Sequence, residues 1–186
     1  MKIIIILSIL SLSQIVLANK GAVTGLDIPR YVSLKSNDSN IRVGPSINYP
    51  IFIKYIFKDF PLKIIEEYGD WRKVVDFQNN SGWIHKSLIK NQRTAIIISQ
   101  NKKKVDVYNI SNGKIIGEIE NGMIVNIPKC KLDWCLIIKN ENKGWINKGF
   151  LWGTKENEEY NVGAIQKLTD VYLRSINLIE KKFFQK

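Results

Sequence analysis

Between residues 30 and 152 the chain alternates short apolar runs with clusters of Asn, Gly, Asp and Ser. Runs this short, bounded by residues that favour turns, are typical of β-strands. The runs are Ile51–Ile53, Pro61–Ile65, Arg72–Val75, Trp83–Ile84, Ala95–Ile98, Val105–Val107 and Ile115–Ile119. Segments 78–82 and 111–113 supply residues that tolerate positive φ in tight turns. Many short strands at close spacing predict an all-β fold, either a sandwich or a small barrel.

Two stretches of this region repeat the same tryptophan pattern. Asp70–Trp71 is followed by Gly82–Trp83–Ile84, with 12 residues from the first tryptophan to the second. Asp133–Trp134 is followed by Gly144–Trp145–Ile146, with a tryptophan spacing of 11 residues. An internal repeat predicts two copies of one folding unit. We name them module 1, residues 30–90, and module 2, residues 94–152.

After residue 160 the apolar positions change to helical spacing. They are Ile165, Leu168, Tyr172, Ile176, Ile179 and Phe183. This pattern predicts an amphipathic helix over residues 160–184. Packing on the modules or in a dimer is the favoured role, because apolar helix faces usually belong to cores. A helix lying on a membrane surface or a partner protein is the alternative.

The first 18 residues carry a targeting pattern. Met1–Lys2 is a short basic start, Ile3–Leu17 is an apolar run, and Val16 and Ala18 are small residues at the −3 and −1 positions of a cleavage site. This pattern predicts a secretory signal peptide over residues 1–18 and an exported mature chain. The apolar run is shorter than the ~20 residues of a membrane-spanning helix, and an uncleaved anchor is the alternative.

Composition narrows the class of protein. The chain has 186 residues, and its 45% of hydrophobic residues excludes an intrinsically disordered protein. The 28 Lys and Arg against 17 Asp and Glu give a net charge of +11. Because Ile, Lys and Asn are overused along the whole chain, this charge is weak evidence for an anionic partner. Nucleic acid is also a poor partner for an exported protein.

The two cysteines, Cys130 and Cys135, both lie in the part expected to be exported. An oxidising compartment favours a disulfide between them. The four intervening residues fit a tight hairpin, in which facing Cα atoms are close enough for the bond. A zinc site would need more ligands than this pair and His85 supply, and a second cysteine so near argues against a catalytic thiol paired with His85. We expect no metal site and no cofactor.

Four segments of module 1 resemble the bacterial SH3-like domain family. They are Asn40–Ser46, Tyr49–Pro50, Asp70–Trp71 and Gly82–Ile84, an N-x-R-x-G-P-S turn followed by two tryptophan strands. Together with module 2, the resemblance is to an exported tandem protein of this family. It implies an all-β fold of two tandem small SH3-like β-barrels followed by the C-terminal amphipathic helix. Module 2 departs from the pattern, because residues 106–109 replace the R-x-G-P-S turn.

The resemblance also implies peptide binding in a shallow groove of module 1. The candidate ligand-binding residues are Arg42, Tyr49, Tyr55, Asp70 and Trp71. Arg42 is expected to pair with a carboxylate in bidentate fashion, and Asp70 to accept from an amine. Each has a structural alternative. In this alternative the tryptophans that recur in both modules fill or cover the barrels, and Arg42 and Asp70 are solvated surface charges without a ligand.

Three functional hypotheses follow, all for a protein of the periplasm or cell envelope. The first is a non-catalytic SH3-like protein that binds peptidoglycan stem peptides or other envelope peptides through module 1. The second is an interaction or regulatory subunit that holds another envelope protein through the modules and the C-terminal helix. The third, a cell-wall hydrolase, needs a Cys–His pair or a metal cluster that the sequence does not show, so we expect a protein that is not an enzyme.

Overall fold

The computed structural model describes residues 19–156 and 158–163. In this part of the chain the regular structure is β-strand, apart from two single-turn 3₁₀ helices at Lys86–Leu88 and Lys148–Phe150. The prediction of an all-β fold is therefore confirmed for the described residues. The first two strands, which pair as a short N-terminal hairpin, are β1 (Asn19–Lys20) and β2 (Asp27–Ile28).

The next seven strands form one antiparallel sheet. They are β3 (Arg30–Leu34), β4 (Ser39–Arg42), β5 (Ile51–Tyr55), β6 (Pro61–Tyr68), β7 (Trp71–Val75), β8 (Ser81–His85) and β9 (Ile89–Lys90). Their spatial order is β5-β4-β8-β7-β6-β3-β9, which places β5 and β9 at the two edges. Asn79, in the predicted turn before β8, has a φ of 66°. An asparagine tolerates this left-handed conformation better than most residues, which is why the turn forms here.

The remaining seven strands form a second antiparallel sheet. They are β10 (Thr94–Ile97), β11 (Lys104–Tyr108), β12 (Ile115–Glu120), β13 (Ile124–Lys131), β14 (Trp134–Lys139), β15 (Asn142–Asn147) and β16 (Leu151–Trp152). Their order, β12-β11-β15-β14-β13-β10-β16, reproduces the order of the first sheet strand for strand. The repeat in the sequence is thus a repeat of the fold.

Each sheet surrounds its own hydrophobic core. The first core contains the buried residues Val32, Leu34, Ile41, Leu62, Ile64, Val74 and Ile84. The second contains Ile97, Val105, Val125, Ile127, Ile137 and Ile146. Inward and outward positions alternate along the strands as their period of two requires. In both modules this alternation turns the inner face toward the core and leaves the outer face of the sheet for other contacts.

The two modules contact each other directly. Thr94 Oγ1 donates a hydrogen bond of 2.7 Å to the carbonyl oxygen of Asp59 and lies 2.6 Å from Ser33 Oγ. Ile96 of module 2 is 3% exposed and belongs to the core of module 1. The ring of Trp152 packs edge-on against Tyr31, with the ring centroids 5.3 Å apart. Apolar packing and buried hydrogen bonds therefore join the modules.

A buried carboxylate holds the N-terminal hairpin on module 1. The side chain of Glu67 on β6 is fully buried, and Arg30 donates to Glu67 Oε1 at 2.6 Å. The backbone N–H groups of Val23 and Thr24 donate to Glu67 Oε2 at 3.0 and 2.8 Å. Burial by itself raises the pKa of Glu67, but the hydrogen bonds from Thr24, Arg30 and Val23 lower it to about 2. Glu67 is therefore ionised at neutral pH.

A second ion pair, which is partly buried, lies at the joint between the modules. Arg93 pairs in bidentate fashion with Glu158 and donates to the carbonyl oxygen of Gly153 at 2.8 Å. Its guanidinium also lies over the rings of Tyr31 and Tyr160, 5.7 and 5.4 Å from their centroids. Arg93 thereby links module 1 to the segment that follows module 2.

The predicted disulfide is confirmed. Cys130 and Cys135 face each other across the β13–β14 hairpin, with Cα atoms 4.0 Å apart, and their sulfur atoms are bonded. Both residues are buried in the core of module 2. The bond closes the hairpin between β13 and the strand that carries Trp134.

Reducing this disulfide is expected to lower the free energy of unfolding by about 2 kcal/mol, because the bond closes only a short loop. Urea unfolding of the wild-type chain with and without reductant measures the effect without changing the sequence. The Cys130→Ala/Cys135→Ala variant should lose slightly more, since it also removes two buried sulfur atoms. Equal stability of the oxidised and reduced chains would contradict this expectation.

Two predictions fall partly or wholly outside the described residues. The predicted signal peptide, residues 1–18, lies outside them, and so does the predicted helix after residue 163. The start of that prediction is corrected. Residues 160–163 are not helical, because Tyr160 pairs with Cys130 in an isolated antiparallel bridge. Within the part of the chain that the structure describes, no helix has the length and apolar character needed to cross a membrane.

Candidate functional site

The outer face of strands β4, β8 and β7 carries most of the residues predicted to bind a ligand. Trp83 on β8 lies between Arg42 on β4 and Lys73 on β7, which pair with it from the two neighbouring strands. Trp71 on β7 lies opposite His85 on β8. Residues directly opposite each other on antiparallel strands share one face of the sheet. Trp83 and His85, two positions apart on β8, also share a face. Two rows of side chains therefore stand next to each other on this face, which we name the outer face of module 1.

Arg42 and Tyr49 form one end of this face. Arg42 Nη1 donates to the carbonyl oxygen of Tyr49 at 2.7 Å. The Tyr49 ring lies directly over Gly44, where an added Cβ would approach the ring to 2.7 Å. A side chain at this position of the R-x-G-P-S turn would displace the Tyr49 ring. The turn holds Arg42 in place, and within the described part of the chain its other guanidinium N–H groups have no hydrogen-bond partner.

Asp70 and Trp71 form the other end, together with His85. Asp70 forms an ion pair with Lys86, whose Nζ lies 2.8 Å from Asp70 Oδ1. His85 Nε2 lies 3.9 Å from the other oxygen of the same carboxylate. The hydrogen bond from Lys86 and its charge lower the pKa of Asp70. The Trp71 ring packs edge-on against His85, with the centroids 5.4 Å apart. The Asp70 carboxylate is thus already paired with a cation, whereas no ion pair involves Arg42 in residues 19–156 and 158–163.

Tyr55 does not lie on the outer face. It is 8% exposed in the core of module 1, and its hydroxyl donates to Asp76 Oδ2 at 2.6 Å. Burial and the hydrogen bond to Asp76 raise the pKa of Tyr55. Unlike the other predicted ligand-binding residues, Tyr55 therefore lies in the core, because alternation along β5 turns this ring inward.

The equivalent face of module 2 is arranged differently. Tyr108 takes the place of Arg42 opposite Trp145, and its ring packs edge-on against Trp134 at 5.1 Å. Lys131 lies over the Trp145 ring, 5.1 Å from its centroid. Tyr108 and Trp134 occupy the positions of Arg42 and Trp71, so the two ends of this face are in contact in module 2. The outer face of module 2 therefore has no arginine at this position and no gap between its two rows of side chains.

A cleft between the modules was not predicted from the sequence. Its volume is about 430 Å³, and its walls include Phe57, Lys58 and Asp59 of module 1 and Ile124 and Ile138 of module 2. No local pattern in the sequence identifies such a cleft, because it exists only through the packing of one module on the other.

The structure offers no free thiol and no metal cluster among the residues it describes. Both cysteines are bonded in the disulfide, so a catalytic thiol paired with His85 lacks its nucleophile. In residues 19–156 and 158–163, no group of three or more His, Cys, Asp or Glu side chains is placed to hold a metal ion. His85 instead accepts from the backbone N–H of Ser87 and caps the first 3₁₀ helix.

The chain was compared with solved structures and with curated proteins. Two solved relatives are NlpC1 and NlpC2 from Trichomonas vaginalis, with 15% and 13% identity and TM-scores of 0.30 and 0.31. The alignments cover 78% and 73% of this chain, which spans about half of each relative, 52% and 51%. An NlpC/P60 family protein from Bacillus cereus has 10% identity and a TM-score of 0.29, over 75% of this chain and 61% of that one. Similarity at this level supports no functional argument, and no curated protein matches.

A sequence model of a protein family gives the decisive match. The bacterial SH3 domain family matches residues 35–91 and 111–153, one segment in each module. The first segment contains the R-x-G-P-S turn and both tryptophan strands of module 1. The matched residues make up more than half of the chain. The resemblance seen in the sequence is confirmed, and the chain belongs to the bacterial SH3 domain family.

Proposed function

We propose that this protein is a non-catalytic, exported binding protein that recognises peptidoglycan stem peptides or related envelope peptides through the outer face of module 1. In this proposal each seven-stranded sheet acts as one small SH3-like barrel. The proposal rests on the family to which the chain belongs and on one observation above all. Arg42 and Trp71 share a face with Trp83 between them, so a cationic donor and an aromatic surface are available to one ligand.

The separation of the two ends suits a short peptide. Arg42 and Trp71 lie two strands apart and two residues apart along the strand direction, which corresponds to roughly 12 Å between their Cα atoms. An extended peptide of about four residues spans this distance. Arg42 pairs with a ligand carboxylate, and Trp71 provides apolar contact area. Asp70 plays a smaller part than the sequence suggested, because a ligand amine would have to displace Lys86 from it.

Arg42→Ala and Trp71→Ala are each expected to weaken binding to purified peptidoglycan sacculi by about tenfold or more. Arg42→Ala removes a charge-assisted donor, and Trp71→Ala removes the aromatic surface. Co-sedimentation of the chain from Asn19 to Lys186 with sacculi, at physiological salt, measures the affinity. Circular dichroism and urea unfolding of each variant separate loss of binding from loss of fold.

Lys103→Ala is the matched control for Arg42→Ala. It removes the same charge from an exposed residue of module 2, far along the chain from the outer face. Sacculus binding that ignores Arg42→Ala and Trp71→Ala, or that falls equally with Lys103→Ala, would contradict the proposal. The search would then turn to another envelope protein as the partner.

A further inference from the structure

The hairpin β4–β5 of module 1 exposes an unusual amount of apolar surface. Six large apolar residues of this hairpin and the turn that follows it are between 50% and 73% exposed: Val43, Ile47, Ile51, Phe52, Ile56 and Phe57. We name these six the hairpin patch. They occupy the loop before β5, the strand itself and the turn after it, and β5 is an edge strand of the sheet. Exposed apolar side chains concentrated in one hairpin are a candidate interaction site.

Cations predominate in the hairpin that carries the patch. From Arg42 to Lys58 the chain carries three cations, Arg42, Lys54 and Lys58, and no acidic residue. Lys54 forms an exposed ion pair with Asp38 at 3.1 Å. Among the described residues Arg42 has no carboxylate partner, and its hydrogen bond goes to the backbone carbonyl oxygen of Tyr49. The patch is therefore apolar in the middle and cationic at its rim.

The equivalent hairpin of module 2 has the opposite balance. It also exposes apolar side chains, with Ile110, Ile115 and Ile116 between 56% and 60% exposed. From Lys104 to Glu120, however, it carries two cations and three acidic residues. The two hairpins therefore have the same fold and expose similar apolar side chains. They differ in charge, because cations predominate in the module 1 hairpin and carboxylates in the module 2 hairpin.

We propose that the hairpin patch of module 1 docks on an anionic lipid surface. Apolar side chains enter the region between headgroups and acyl chains, while Arg42 and Lys58 remain at the level of the lipid phosphates. Anionic lipids attract cations that lie just above the bilayer, and the module 2 hairpin is repelled by its own carboxylates. If a second copy of the chain docked with its hairpin patch against this one, cations would be brought together. This repulsion disfavours self-association through the patch. Arg42 belongs both to this site and to the proposed peptide-binding face, but the six apolar residues of the hairpin patch are not part of that face, so Phe52→Asp tests the lipid proposal separately.

The test uses vesicles of phosphatidylcholine with and without phosphatidylglycerol. The chain from Asn19 to Lys186 is expected to sediment with the anionic vesicles and at least about tenfold less with phosphatidylcholine alone. Phe52→Asp and Ile47→Asp are each expected to reduce binding to anionic vesicles by about tenfold or more. Phe52→Ser, which leaves the charge unchanged, should also weaken it. Both residues are exposed, so the fold should survive in all three variants, as urea unfolding of each variant verifies.

Ile115→Asp and Ile116→Asp are the matched controls, because they add the same charge at equally exposed positions of the module 2 hairpin. Their binding is expected to stay within about twofold of wild type. Vesicle binding that survives Phe52→Asp, for example through the C-terminal segment, would overturn the proposal. Concentration-dependent self-association without vesicles, abolished by Phe52→Asp, would also overturn it and identify the patch as an interface between copies. Sacculus binding, measured separately, should be unaffected by Phe52→Asp.

Discussion

Glu67→Gln is expected to lower the free energy of unfolding by about 3 kcal/mol near neutral pH. The variant keeps the shape of the side chain but leaves the buried Arg72 and the partly buried Arg30 without their carboxylate. In the wild-type chain the N–H groups of Val23 and Thr24 donate to a carboxylate oxygen, and the variant replaces this carboxylate with a neutral amide. Removing one partner of a buried ion pair costs far more than the pair itself contributes. Urea unfolding of wild type and variant measures the difference.

The same residue is expected to make the protein sensitive to acid. The pKa of Glu67 is lowered in the folded state from 4.5 to about 2, so the ionised side chain stabilises the fold above pH 4.5. This stabilisation, roughly 3 kcal/mol, is lost as the pH falls through the interval from 4.5 to about 2. Glu67→Gln should lack this part of the pH dependence. Unfolding curves across the acid range therefore provide a second readout.

Glu66→Gln is the control for both measurements. Glu66 precedes Glu67 on the same strand but is exposed, and it forms only a surface ion pair with Lys73 at 3.2 Å. Exposed pairs contribute little, so this variant should stay within about 0.5 kcal/mol of wild type. If Glu67→Gln and Glu66→Gln change stability equally, the buried carboxylate does not hold the hairpin as described.

Arg93→Ala is expected to cost a similar amount, about 3 kcal/mol. It leaves the Glu158 carboxylate, whose side chain is 17% exposed, without its cation and removes the contacts with Tyr31 and Tyr160. Burial raises the pKa of Glu158, but the hydrogen bonds from Arg93 and the backbone of Lys155 lower it below its ordinary value. Arg93→Lys should recover only part of the loss, since lysine cannot make the bidentate pair. Thermal or urea unfolding compares the variants.

A double-mutant cycle makes the Arg93 prediction specific. Once Glu158→Ala has removed the carboxylate, Arg93→Ala should cost clearly less than it does in the wild-type chain. Arg42→Ala serves as the control for loss of an arginine. Its hydrogen bond to Tyr49 lies on the exposed side, and it should cost no more than about 1 kcal/mol. Strict additivity of the cycle would show that Arg93 acts mainly through its other contacts.

Several features of the fold are local and could be predicted from the sequence. Short apolar runs between turn residues predicted the strands, and the repeated Gly-Trp-Ile segment predicted two similar modules. The structure explains this glycine: at Gly82 a Cβ would come within 2.8 Å of the Arg42 carbonyl oxygen, and at Gly144 within 3.1 Å of the Tyr108 carbonyl oxygen. Each glycine lets β8 or β15 cross closely under its neighbouring strand. The disulfide could also be predicted from the local sequence, because its two cysteines are five residues apart.

The candidate site could be predicted only in part. The R-x-G-P-S turn and the Asp-Trp pair identified Arg42 and Trp71, which the sheet register brings to one face. The same reasoning placed Tyr55 with them, although this ring belongs to the core. A tyrosine suits both a groove and a core, because it combines a large apolar ring with a hydroxyl that needs a partner. The choice depended on the buried Asp76 carboxylate 21 residues further along the chain.

The strand pattern, the repeated module, the disulfide and the family follow from the sequence alone, because they depend on side-chain period, turn chemistry and spacing within about 60 residues. Which charged groups meet depends on the three-dimensional fold. Glu67 meets Val23, Thr24 and Arg30 across 37 to 44 residues, and Arg93 meets Glu158 across 65. The fold also decides that Tyr108 closes the outer face of module 2 against Trp134. The physical reason is that such contacts are chosen by the packing of whole strands and modules, which local periodicity does not encode.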